Sequence, residues 1–138
     1  MVALVVVSHS AVIARGVVEL ARQMAGPEVV IEAVGGTLVT DDRGAEVEEI
    51  GTDAVAIMEA IERADSADGV VVLMDLGSAV LSTEMALEML DEGTAGRVSL
   101  CPAPLVEGAV GAATAARLGL ERAEVAAEAR RGLAAKLE

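Results

Sequence analysis

Val2-Ala3-Leu4-Val5-Val6-Val7-Ser8-His9 begins with six consecutive apolar residues and ends on a serine and the only histidine of the chain. A short, unbroken, β-branched run is the pattern of a strand covered on both faces, since a half-exposed antiparallel strand would alternate polar and apolar positions. It therefore predicts a parallel sheet. Similar runs recur at residues 29–33 and 70–74, with a weaker one at 98–100, and segments of helical spacing lie between them. Strand and helix alternating in this way predict an α/β fold: an open, doubly wound, mostly parallel sheet, flanked by helices and joined by right-handed crossovers. The expected strand order is 2-1-3-4.

The helical segments are read from their faces and ends. Residues 11–24 place Val12, Val17, Leu20, Ala21 and Met24 on one side, with Arg15, Glu19 and Arg22 mostly on another, and end near Gly26-Pro27. Thr52-Asp53 caps a second helix running through Ala64, and Ser78 starts a third that reaches Leu90. The link Cys101-Pro102-Ala103-Pro104 precedes a small-residue helix over 106–118, and residues 121–137 are expected to form one charged last helix. Residues 35–51, acidic and without clear periodicity, read as a loop.

Composition narrows the function. With 138 residues, 54% of them hydrophobic, the chain suits one domain over 1–138 with a real core. The single Cys101 cannot form an internal disulfide, and no basic region precedes the first apolar run, so no secretory signal is expected. Charged residues such as Arg15, Glu19, Arg22, Glu59 and Glu84 interrupt every candidate membrane span. The expectation is a soluble, cytoplasmic protein with no membrane partner. Ten basic against twenty-three acidic residues give a net charge of −13, which repels phosphate backbones, and no aromatic residue is present to stack on bases. Nucleic acid is thereby excluded as an expected partner. The acidity either steers toward a positively charged protein or simply solvates the surface.

In a doubly wound sheet, ligands sit beyond the carboxyl ends of the strands, at the point where neighbouring connections diverge. His9 follows the first strand and Asp75 the third. In the expected order those strands are neighbours about 4.8 Å apart, which brings imidazole and carboxylate within hydrogen-bonding reach. Asp75 accepting from Nδ1–H would fix the tautomer and leave the Nε2 lone pair outward, as an imidazole nucleophile requires. Taken singly, a lone histidine can be a capping or surface group and Asp75 a turn residue; their shared edge is what singles them out. Gly77 and Ser78 open a helix whose amides could hold a phosphoryl group, or form an ordinary helix start. Gly36 and Thr37, on the same edge, could add amides and a hydroxyl, or only turn the chain.

Other chemistries lack their residues. Lys136 is the only lysine and no G-x-G-x-x-G occurs, so direct use of ATP is not expected. A response-regulator receiver would need an acidic pair after the first strand and a lysine on a later one. One histidine and one distant cysteine give no metal-ligand spacing, and no metal is expected. Cys101 reads as a small buried hydrophobe. A hydrolase built on Ser8 or Ser10 would lack the G-x-S-x-G elbow.

Four segments in order across nearly the whole chain carry a resemblance: Val5-Val6-Val7-Ser8-His9-Ser10, Ile50-Gly51-Thr52-Asp53-Ala54, Asp75-Leu76-Gly77-Ser78-Ala79 and Pro104-Leu105-Val106-Glu107-Gly108-Ala109. Together they resemble the DhaM family, the phosphotransferase subunits of phosphoenolpyruvate-dependent dihydroxyacetone kinase. The histidine-bearing strand end alone also fits the mannose-family enzyme IIA domains of the phosphotransferase system (PTS). The resemblance implies a homodimer of the mannose-type EIIA fold in which His9 takes a phosphoryl group at Nε2 from the phosphocarrier protein HPr, with Asp75 beside it. It implies transfer onward to ADP on the nucleotide subunit DhaL, with dihydroxyacetone held by a third subunit, DhaK. No tightly bound cofactor is implied, only the phosphoryl group on His9. Some relatives fuse this domain to phosphocarrier-like and enzyme-I-like domains; this chain is expected to meet a separate donor. Two further possibilities stand beside it: an enzyme IIA domain that phosphorylates a sugar-transporter subunit, and a non-catalytic dimeric regulatory module in which His9 only packs or senses pH.

Overall fold

The computed structural model describes residues 1–137. The chain runs β1 (Ala3–Ser8), α1 (Ala11–Ala25), β2 (Ile31–Gly35), β3 (Thr37–Thr40), β4 (Glu46–Glu49), α2 (Ala54–Ala64), β5 (Val70–Met74) and α3 (Gly77–Met89). It continues through α4 (Glu92–Ala95), β6 (Val98–Cys101), α5 (Leu105–Arg117), α6 (Arg122–Arg130) and α7 (Gly132–Leu137). The main sheet has the order β2-β1-β5-β6 with every pairing parallel, which is the order expected for the four apolar runs.

Each residue of β1 and β5 is buried, because the sheet is sandwiched between two helical layers. Alternate side chains serve opposite faces. Val2, Leu4, Val6, Val71 and Leu73 meet α1, α5 and α6 through Val17, Ala21, Ala112 and Val125. Ala3, Val5, Val7, Val70, Val72 and Met74 meet α2 and α3 through Ile57, Ile61, Ala79 and Ala86. With no aromatic ring available, the core is closed by many small and branched side chains, each buried Val, Leu or Ile contributing about 1.5–3 kcal/mol. No helix among the described residues is long and apolar enough to cross a membrane.

Three expectations are corrected. Residues 35–51 are not a plain loop: they hold an antiparallel hairpin, β3 with β4, pairing Thr37 with Glu49 and Thr40 with Glu46. Its turn is stabilised by the Asp41 carboxylate, which accepts from the amides of Arg43 and Ala45, both at 2.9 Å, and by Gly44 at φ +80°. Glu46–Glu49 is exposed at all four positions, so it has no buried face to impose the alternation that marks a strand. Secondly, the edge strand lies at Ile31–Gly35, two residues beyond the expected 29–33. Thirdly, the last helix is two helices, α6 and α7, broken at Arg131. Gly132 lets the chain pass so close to α5 that a Cβ there would lie 3.0 Å from the Gly108 amide nitrogen.

Candidate active site

Parallel pairing sets Val7 opposite Met74, so the residues that follow β1 and β5 emerge side by side at the carboxyl edge. The Asp75 amide donates to the Val7 carbonyl at 3.1 Å and extends the ladder by one step. On the other flank Ser8 pairs with Gly35. A Cβ at Gly35 would stand 2.6 Å from the Ser10 carbonyl oxygen, so a side chain there would push away the turn that carries His9. The Gly51 amide, at the end of the hairpin, donates to the His9 carbonyl at 2.8 Å.

The Asp75 carboxylate accepts four hydrogen bonds. Its Oδ1 takes the Leu76 amide at 2.7 Å and His9 Nδ1 at 2.9 Å; its Oδ2 takes the Ser8 hydroxyl at 2.8 Å and the His9 amide at 3.0 Å. Burial opposes ionisation of this carboxyl, but the bonds from the His9 amide, the Ser8 hydroxyl, the imidazole and the Leu76 amide together outweigh it and hold Asp75 below its ordinary value. An ionised carboxylate only accepts, so Nδ1 carries the proton, and in the neutral form of the ring Nε2 keeps its lone pair. Both side chains remain partly accessible, His9 at 17% and Asp75 at 15%.

Nε2 meets the Ser78 hydroxyl. Ser78 lies in the first turn of α3, whose N-cap Leu76 supplies no side-chain acceptor. Among the described residues, the amides of Gly77 and Ser78 make no backbone hydrogen bond, and they lie at the positive end of the α3 dipole. Of the residues singled out in the sequence, His9, Asp75, Gly77 and Ser78 are thus gathered in one place. Gly36 and Thr37 line a neighbouring cleft of about 380 Å³ with Arg15, Glu48, Asp53 and Arg63, and a Cβ at Gly36 would lie 3.5 Å from the Ala11 amide nitrogen at the start of α1. Gly36, at φ +70°, turns the chain into the hairpin there. Cys101 is buried, burial raises its thiol, and its Sγ–H donates to the Ala126 carbonyl at 3.3 Å.

Ser8 was not singled out by spacing for this part. A serine one residue before a histidine at a strand end was the only signal, and its meaning depends on which neighbouring strand supplies the carboxylate.

A profile of the EIIA-man family, described as the PTS system fructose IIA component, matches residues 3–126. The PEP-dependent dihydroxyacetone kinase phosphoryl donor subunit DhaM of Escherichia coli (strain K12) is 47% identical over 138 residues, all of this chain but 28% of that protein. The chain thus spans little more than a quarter of the length of that relative. The PEP-dependent dihydroxyacetone kinase 2 phosphoryl donor subunit DhaM of Listeria innocua is 39% identical over 113 residues, covering 82% of this chain and 84% of that protein. A crystal structure of a protein of unknown function superposes with a TM-score of 0.77 at 37% identity, covering 95% of both chains. The strand order, the histidine at the end of β1 and these matches agree, and the chain belongs to the EIIA-man family and, within it, to the DhaM group.

Proposed function

We propose that this chain is a phosphoryl carrier of a phosphoenolpyruvate-dependent dihydroxyacetone kinase system, phosphorylated on His9 at Nε2. The observation that supports this most is the held imidazole, with Nδ1 on an ionised carboxylate at 2.9 Å and Nε2 at the uncapped start of α3. In the accepting step the Nε2 lone pair attacks the phosphorus of a donor phosphohistidine. The new N–P bond forms as the donor's P–N bond breaks, and the donor ring leaves with the electron pair. Nδ1 keeps its proton, so the His9 ring becomes cationic and the Asp75 carboxylate neutralises it. In the donating step an ADP phosphate oxygen attacks in line and His9 is the leaving group.

Ser78, whose hydroxyl covers Nε2 in the resting protein, turns aside and donates to a phosphoryl oxygen together with the Gly77 and Ser78 amides. Positioning of two partners around a labile bond supplies most of the rate. The donor is HPr, and the recipient is ADP on DhaL, with dihydroxyacetone held by DhaK. The carrier works as a homodimer in the cytoplasm, and sedimentation should give about twice the chain mass of 13.9 kDa. The family description as a fructose IIA component favours one second reading, in which a sugar-transporter subunit receives the group.

The test is to label the chain through HPr, remove the donor, and add either DhaL with ADP or a mannose-type transporter subunit. Label appearing in ATP on DhaL supports the proposal. Label moving only to the transporter subunit rejects it for the second reading.

A further inference from the structure

Ser8 is completely buried, at 0% exposure, yet it is polar and stands immediately before the histidine. A hydroxyl without access to water must find partners inside the protein. It has two: it donates to Asp75 Oδ2 at 2.8 Å and accepts from the Ser10 amide at 3.1 Å. Neither role can be reversed, because an ionised carboxylate only accepts and an amide N–H only donates. The Ser8 proton is therefore fixed on Asp75. The other donors to that carboxylate are the His9 and Leu76 amides and the imidazole itself. Backbone donors persist in any variant, so Ser8 is the one side chain besides His9 whose removal loosens Asp75.

We propose that Ser8 is a positioning residue for phosphoryl transfer, holding the Asp75 carboxylate in the orientation that presents Oδ1 to His9 Nδ1–H. This rests on His9 being the phosphorylated residue. Through the Ser10 amide the same hydroxyl ties the carboxylate to the start of α1, where the Ser10 side chain caps the helix by accepting from Ile13 at 3.3 Å. Without the hydroxyl, Oδ2 keeps one donor and the carboxylate can turn. The imidazole then divides between its two tautomers, and the fraction with a lone pair on Nε2 falls.

The experiment uses the full chain as wild type, Ser8→Ala and Ser8→Thr, with phosphorylation by HPr followed by quenched intact mass and the His9 ring tautomer read by ¹⁵N NMR. Ser8→Ala is expected to cut the maximal rate about tenfold, the loss of one hydrogen bond to a charged group, with little change in the KM for HPr. Its ¹⁵N shifts should move from one tautomer to a mixture, and Ser8→Thr, which restores the hydroxyl, should recover rate and tautomer together. Wild-type rate and tautomer in Ser8→Ala overturn the proposal. So does a slow Ser8→Ala with an unaltered tautomer, or a Ser8→Thr that is no better. Should Ser8→Ala not fold, the wild type decides: a slowly exchanging Ser8 hydroxyl proton whose shift follows phosphorylation of His9 supports the role, and its absence overturns it. A wild type that takes no phosphoryl group rejects the carrier function itself; a labelled wild type matched by Ser8→Ala rejects only the part given to Ser8.

Discussion

Each ring nitrogen of His9 has one neighbour, and the two act differently. Asp75 holds Nδ1 and is itself fixed by four donors, whereas Ser78 merely covers Nε2 from the exposed side. Asp75→Asn keeps the size but puts an amide where the Ser8 hydroxyl and three other donors converge. Phosphoryl uptake in Asp75→Asn should fall about 10–100-fold, measured by quenched mass spectrometry, while far-UV circular dichroism stays unchanged. His9 and Asp75 were legible in the sequence because each directly follows an apolar run, and a parallel sheet brings such positions to one edge. Ser8 was not legible, since a buried strand serine has meaning only through the residue across the sheet.

At the scale of elements, α3 shows how site and stability pull apart. It begins without a side-chain cap, at Leu76 with φ −126° and ψ 167°, a conformation suited to an N-cap residue. Leu76→Asp should therefore stabilise the protein by about 0.5–2 kcal/mol, seen as a higher Tm. The same carboxylate would occupy the amides proposed to hold the phosphoryl group and repel it, so uptake on His9 should slow. A variant that gained stability with no loss of rate would remove the α3 amides from the mechanism. The elements that sequence reading missed share a cause. The Glu46–Glu49 strand lies open to solvent, and the break at Arg131 depends on how closely Gly132 passes α5; neither leaves a hydrophobic period to read.

At the scale of the molecule, the buried strands β1 and β5 form a rigid centre whose carboxyl edge carries the site. That much followed from two apolar runs. Acid should loosen the whole with a definite sign. Asp65 is held below its ordinary value of 3.8 chiefly by the hydrogen bond from Arg97, and Asp75 by its own four donors. A carboxyl that titrates lower when folded stabilises the native state fully above about pH 5 and loses that contribution as pH falls through the folded value. Tm should therefore hold from neutral pH to about pH 5 and drop steeply below about pH 4, less steeply in Asp65→Asn. Phosphorylation of His9 underlies every role proposed at this edge of the sheet. It is tested most directly by intact mass after incubation with phosphoenolpyruvate, enzyme I and HPr, kept cold and alkaline, for wild type and His9→Gln. The expected result is an acid-labile gain of one phosphoryl group in wild type and none in His9→Gln. No gain in wild type with active controls, or an equal gain in His9→Gln, would contradict it.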